Sequence, residues 1–286
     1  RMAKIKVVTD SSVQLTPEEI DKYDITVVPL TITIDGKTYT DGIDISREEF
    51  VKKMDESEEL PKTSQPSIGI FEKVFEELTA DGSQVVGIFL ARSLSGTIEA
   101  ARQAADIIGK TKEVTLIDSE LTDRAEAYQV LAAAKDAQAG KSLEEIVNHV
   151  EDLKKKQKLQ MMVVNLNNLI KGGRLGPLAG KIATLLNIRI ELHMPGGNLD
   201  VAKKGRGKKF SKNFDKRVLK DIEEHKHDIK EVAISYVDTP EDMEVWTNKI
   251  KEINPDIKVL TRVTSPIIAT HAGSGAYAVF YTTEDF

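Results

Sequence analysis

Short apolar runs alternate with amphipathic stretches through the first half of the chain. Ile5-Lys6-Val7-Val8 reads as a buried strand. Thr16-Pro17-Glu18-Glu19 follows with an N-cap, a proline at the first helical position and a capping-box Glu. The β-branched stretch from Ile25 to Ile34 reads as one or two strands. Ser46 and Glu49 form a second capping box, ahead of a helix that gathers Phe50, Val51 and Met54 on one face. Ser67 opens a helix with Phe71, Val74, Phe75 and Leu78 as its stripe. Val85 to Leu90 is an almost unbroken apolar run, the pattern of a parallel strand covered on both faces. A helix over about Thr97 to Ile108, a strand from Val114 to Ile117, an Ala-rich helix to Ala139 and a helix capped by Ser142 and Glu145 complete this half. Such alternation predicts a parallel sheet with helices on both faces.

The pattern changes near residue 158. Leu159 to Val164 reads as a strand, and Leu169 to Leu186 as helix interrupted at Gly172-Gly173. Ile188 to Leu192 and Leu199 to Val201 flank Pro195-Gly196-Gly197-Asn198, which predicts a hairpin. Two further helix–strand pairs lead to Ala278-Val279-Phe280-Tyr281. The expected fold is therefore α/β in two domains. Residues 1–160 form a parallel-sheet α/β/α unit, and residues 161–286 an α+β unit with a mixed sheet.

Composition narrows the function. The chain has 286 residues, 40% of them apolar and 30% charged, as a globular protein with a sizeable core does. It carries 40 Lys+Arg against 46 Asp+Glu, a net charge of −6, which argues against a nucleic-acid partner. It has no Cys, which excludes disulfides, thiolate metal sites and Cys nucleophiles. No secretory segment is visible and no apolar run approaches the roughly 18 residues of a membrane span, so the cytoplasm is the expected location.

Four polar segments fall between regular elements. Thr9-Asp10-Ser11-Ser12 follows the first strand, where open α/β sheets collect ligands. Lys62-Thr63-Ser64-Gln65-Pro66-Ser67 sets three hydroxyls around a proline. Ser93-Leu94-Ser95-Gly96-Thr97 leads into a helix whose free N–H groups suit an anion. His271 sits among small residues in Ala269-Thr270-His271-Ala272-Gly273-Ser274-Gly275, read as a loop. Each also reads as an ordinary capped turn. His149, His193, His225 and His227 read as solvated. Gly140-Lys141-Ser142 lacks the rest of a P-loop, and Gly273 to Ala278 leaves no room for a dinucleotide-binding unit. No Gly-x-Ser-x-Gly elbow and no convincing metal-ligand spacing occurs. From Lys203 to Lys220 nine Lys/Arg face one Asp, a charge of +8 within a background of −14. That run is either a solvated face or a docking patch for an acidic partner.

In order along the chain, Val7-Val8-Thr9-Asp10-Ser11-Ser12, Thr63-Ser64-Gln65-Pro66, Ser93-Leu94-Ser95-Gly96-Thr97, Ile117-Asp118-Ser119, Lys171-Gly172-Gly173-Arg174 and Thr270-His271 with its glycines resemble the motif set of the DegV family. The resemblance implies a fatty-acid-binding subunit of a bacterial fatty acid kinase. A long-chain fatty acid would lie in an apolar tunnel between the two domains, with no cofactor. Thr63, Ser64, Ser95, Gly96, Thr97 and His271 would hold its carboxylate. Arg174 and Arg206 would touch the partner or stabilise phosphate. A separate ATP-dependent kinase would phosphorylate the presented carboxylate, and the protein would carry the acyl-phosphate and contact membranes transiently. It would not itself be an enzyme. The alternative is a Ser/His acyl hydrolase using Ser95 and His271. Glu120 to Glu126 departs from the family pattern, and its charges are expected to cap or reshape the tunnel. Lys203 to Lys209 departs from it as well.

Overall fold

The computed structural model describes residues 4–182 and 186–286. Its elements run β1 (Ile5–Asp10), α1 (Pro17–Lys22), β2 (Thr26–Val28), β3 (Thr31–Ile34), β4 (Lys37–Thr40), α2 (Arg47–Glu56), β5 (Lys62–Ser64), α3 (Ile68–Thr79), β6 (Gln84–Phe89), α4 (Thr97–Ile107), β7 (Val114–Asp118), α5 (Asp123–Gln138) and α6 (Leu143–Lys156). They continue with β8 (Met161–Val163), α7 (Asn167–Lys171), α8 (Ala179–Ile182), β9 (Ile188–His193), β10 (Asp200–Arg206), α9 (Gly207–Glu224), β11 (Glu231–Tyr236), α10 (Glu241–Ile253), β12 (Lys258–Val263), α11 (Pro266–Ala272) and β13 (Tyr277–Thr282). The predicted helix from Leu169 to Leu186 resolves into α7, a 3₁₀ turn at Gly176–Leu178, and α8; its stretch 183–185 lies outside the described residues.

A parallel sheet of order β2-β1-β6-β7 anchors the first half. Its two-residue period sends neighbouring side chains to opposite faces. Val7, Val86 and Ile88 pack on one side against α5 and α6 through Val130, Leu131, Ile146 and Val150. Val8, Val85 and Phe89 pack on the other against Phe71 and Phe75 of α3 and Ile98 and Ala101 of α4. Ser67 and Ser142 cap α3 and α6 as the sequence predicts.

The second sheet is mixed, in order β10-β9-β8-β13-β11-β12. Only β11 and β12 run parallel; the other neighbours are antiparallel. The predicted hairpin joins β9 to β10. One face carries Met162, Val232, Ile234 and Val279 against Phe214 and Val218 of α9 and Trp246 and Ile250 of α10. The other face turns Met161, Val163, Ile190, Leu192 and Phe280 toward the first half, where they meet Leu30, Ile32 and Tyr128, with α11 of the second half in the same core.

A third sheet, β4-β3-β5, is antiparallel and departs from the simple α/β expectation for the first half. Its β3–β4 turn is Asp35-Gly36, with φ of 50° and 76°. Asp-Gly is a strong signal for a two-residue hairpin with both central residues left-handed. The sheet pairs Ile32 with Thr63 and so fixes β5 beside the inter-half core.

Candidate functional site

The core between the halves encloses a cavity of about 300 Å³, at the lower end of the usual range for small-molecule sites. Leu30, Leu90, Leu94, Leu159, Met161, Leu169, Leu192, Met194, Leu199, Ile267 and Ile268 give it an aliphatic lining. The polar part consists of Thr63, Ser64, Gln65, Ser95, Thr122, Arg174 and His271.

The Thr63 hydroxyl lies 3.0 Å from His271 Nε2. Ser95 belongs to a turn in which the N–H groups of Leu94 and Ser95 both donate to the Ala91 carbonyl. Its Oγ accepts from the Thr97 N–H at 3.2 Å and lies 2.8 Å from Thr97 Oγ1. The turn therefore occupies the N–H groups of Leu94, Ser95 and Thr97, the last of which belongs to the first turn of α4. Thr97 is fully buried and supports Ser95 rather than lining the cavity. Gly96 packs directly against the Gln65 amide, so Gly96 admits Gln65 to the site. Arg174 donates from Nε to the Leu94 carbonyl at 3.0 Å and from Nη1 to the Gly172 carbonyl at 2.8 Å. These bonds tie the segment after α7 to the Ser95 turn.

His271 lies in the last turn of α11, which corrects its assignment to a loop. Ser265 caps that helix by accepting from the Ile268 N–H, Pro266 occupies its first turn, and Gly273 ends it with φ of 79°. The ring packs so closely over Gly172 that a Cβ there would stand 2.5 Å from His271 Nδ1 and 2.8 Å from the Asn168 carbonyl oxygen. Burial lowers the His271 pKa to about 4, with the Arg174 charge adding to the effect. The imidazole is thus neutral near pH 7, and its Nδ1 is buried without a hydrogen-bond partner. One guanidinium, a neutral imidazole and several hydroxyls then face an apolar cavity. Such a set has the chemistry to suit one anionic head group on an apolar body.

The hydrolase alternative does not match this geometry. His271 meets Thr63 through Nε2, Ser95 meets Thr97, and among the described residues no carboxylate orients Nδ1. A triad needs the base on the nucleophile and an orienting group behind it.

Other expectations fare unevenly. Arg206 is exposed at the end of β10, outside the cavity lining, whereas Arg174 lies within it. The charged side chains of the 120–126 segment are absent from the cavity lining, so the capping half of that expectation is not met. Only Thr122 of this stretch reaches the lining. Arg124 is buried and donates to Glu19 and Glu231, and Glu126 accepts from Thr9. Asp10 and Ser12 are also fully buried and do not line the cavity. His149 is not merely solvated: Nδ1 lies 2.7 Å from Asp136 and Nε2 lies 2.6 Å from Glu284. Gln65 and Thr122 are the polar lining residues left without a role by the motifs; the place of Gln65 within Thr63-Ser64-Gln65-Pro66 was its one sequence signal. The Lys203–Lys220 run falls on β10 and α9, where every lysine and Arg206 is exposed and Arg217 pairs with Glu191. Among the described residues no group of three or more His, Asp or Glu is placed to hold a metal ion, and no helix is long and apolar enough to cross a membrane.

The family model described as "Uncharacterised protein, DegV family" matches residues 4–284. A DegV domain-containing protein of Streptococcus pneumoniae is 42% identical over 284 residues, covering 97% of this chain and 98% of its own. The crystal structure of DegV, a fatty acid binding protein from Bacillus subtilis, superposes with a TM-score of 0.88 at 26% identity, covering 98% of this chain and 99% of that one. The Streptococcus pneumoniae Fatty Acid Kinase (Fak) B3 protein, solved loaded with linoleic acid, shares the fold with a TM-score of 0.78 at 23% identity, covering 99% of this chain and all of that one.

Proposed function

Because this chain belongs to the DegV family, we propose that it binds a long-chain fatty acid in the inter-half cavity and presents the carboxylate to a separate ATP-dependent kinase. The observation that carries this is the cavity itself, aliphatic along most of its wall and polar where Thr63, Ser95, Arg174 and His271 converge. Thr63 and Ser95 donate to the carboxylate, Arg174 balances its charge, and His271 completes the ring. Ser64, Gln65 and Gly96 shape the rim, and Thr97 holds Ser95 in place. The protein makes no bond; it carries the acid in and the acyl-phosphate away, within the cytoplasm where ATP is available.

The sequence offers no nucleotide motif, so ATP belongs to the partner. The likeness to the Fak B3 protein carries the fold; the kinase pairing is this proposal's own step. Arg206 and its exposed lysine neighbours supply the contact with that partner. The reading divides the chain near residue 160, with the cavity closed by the second part.

Native mass spectrometry of protein purified from bacteria tests the binding. A retained mass equal to a fatty acid is the expected result. A clean unliganded mass that does not change on adding oleate or palmitate would overturn the reading.

A further inference from the structure

The segment after β1 is rich in chemistry yet takes no part in the site described above. Asp10, Ser11 and Ser12 are consecutive, and each bonds to a different wall of the cavity. Asp10 Oδ2 accepts from the Leu90 N–H at 2.8 Å. Ser11 Oγ accepts from the Leu30 N–H at 3.0 Å. Ser12 Oγ lies 3.1 Å from Thr122 Oγ1. Leu30, Leu90 and Thr122 all line the cavity, and they come from three segments that share no other common anchor among these bonds.

The anchoring is itself rigid. Asp10 Oδ1 accepts from both the N–H and the hydroxyl of Ser12, at 2.8 and 2.5 Å. Thr9 Oγ1 donates to Glu126 at 2.9 Å. Burial, then the neighbouring Asp10 carboxylate, raises the Glu126 pKa well above the ordinary carboxylate range. Leu90 leads directly into Ala91, whose carbonyl nucleates the Ser95 turn. Leu30 leads directly into β3, whose partner β5 carries Thr63. A shift at this hub therefore moves the aliphatic wall and the carboxylate ring together.

We propose that Asp10, Ser11 and Ser12 are positioning residues of the acyl cavity: they set the spacing of its Leu30, Leu90 and Thr122 walls and thereby which acyl chains it accepts. This rests on the cavity being the fatty acid site. Selection among acyl chains is a matter of one or two methylenes or a bend, and such differences register only against walls that do not relax.

The test uses the full chain with Asp10→Asn, Ser11→Ala and Ser11→Thr, measuring Kd for palmitate, stearate and oleate together with the thermal midpoint. Asp10→Asn loses acceptor capacity toward Leu90 or Ser12. Ser11→Ala frees the Leu30 N–H. The expected result is a change of about threefold or more in the palmitate-to-oleate affinity ratio, the size of one lost hydrogen bond, with Ser11→Thr restoring the wild-type ratio. A lowered midpoint with an unchanged ratio in Ser11→Ala overturns the proposal, because a merely structural role lowers stability without altering choice. If Asp10→Asn does not fold, the half-exposed Ser11 decides the matter alone. Wild-type protein that binds none of the three acids defeats the functional reading, and the proposal with it; variants that match wild type in binding all three defeat the proposal only.

Discussion

Two of the contacts that join the halves of this molecule are built on opposite principles. One is the cavity, whose wall is aliphatic and whose polar groups keep spare capacity; His271 Nδ1 has no partner at all. The other is a polar bolt around α5. There Arg124 is 1% exposed and donates to Glu19, Glu231 and the Gln14 carbonyl, and it stacks over Tyr128. Beside it Asp123 accepts from Ser235 and Thr264 at 2.6 Å each, and Gln14 donates to Ser235. The bolt has its charges satisfied internally and so offers nothing to a ligand. The cavity leaves donors and volume unfilled and so gains free energy when something fills it. Burial alone does not mark a site, nor does a lone unpartnered group such as the Tyr128 hydroxyl of the bolt; unused hydrogen-bonding capacity beside unfilled apolar volume does.

The largest effect should come from breaking the bolt. Arg124→Ala takes the guanidinium from two carboxylates, Glu19 and Glu231, that are 14% and 7% exposed at their side chains, and leaves Glu231 only Lys258 at 3.7 Å. Removing one partner of a buried ion pair costs about 3–5 kcal/mol. Urea denaturation should show the midpoint falling accordingly with its slope unchanged. A loss under about 1 kcal/mol would mean that water already reaches the bolt.

Gly172→Ala acts on the cavity side. The new methyl collides with the His271 ring and the Asn168 carbonyl oxygen, and the latter is backbone that cannot swing aside. Overpacking of this kind costs about 1–3 kcal/mol, and here it displaces the imidazole from Thr63. Fatty acid affinity, measured by isothermal titration, should fall by more than the thermal stability does. Equal losses would assign Gly172 to packing alone.

Smaller still is Thr63→Ala. It removes one hydroxyl facing the cavity, so affinity should fall by about 1–3 kcal/mol if the hydroxyl donates to a carboxylate. Stability of the unliganded chain should fall by about 0.5–1.5 kcal/mol, the net worth of the Thr63–His271 hydrogen bond. The Arg124 and Thr63 variants thus separate the two contacts: one weakens mainly the fold, the other mainly the ligand.

The same contrast explains what could be read from the chain. Val7/Val8 and Val85/Val86 announce a sheet covered on both faces, and Thr16, Ser67 and Ser142 announce helix starts, because these signals lie within one turn or one strand. The His271 segment is expected as a loop, although Ser265-Pro266 at its start and Gly273 at its end signal a helix, and the β3–β4 hairpin is missed, although Asp35-Gly36 signals it. The bolt had no such signal. Arg124 lies 105 residues from Glu19 and 107 from Glu231, so nothing local distinguishes it from a solvated arginine. Thr63, Ser95 and His271 could be named from the motif set, but their convergence depends on β3–β5 pairing and on the α11 cap, both long-range outcomes of folding.

The finest test of the comparison is the ionisation of His271. Its pKa in the folded chain is about 4, below the ordinary histidine value, because burial and then Arg174 oppose the charged form. The unfolded chain binds the proton more readily, so this group stabilises the fold above about pH 6.5. That stability is lost as pH falls toward 4. Asp41 works in the opposite sense: burial lifts its pKa to about 6, so its contribution weakens as pH rises from about 4 to 6. Global stability therefore blends the two, and the ring must be watched directly. In an NMR titration of the unliganded protein the His271 ring should stay neutral down to about pH 4. A bound carboxylate beside it favours the charged form, so saturation with stearate should move the midpoint upward. A midpoint that does not move with ligand would place the head group away from His271 and leave Thr63, Ser95 and Arg174 to hold it.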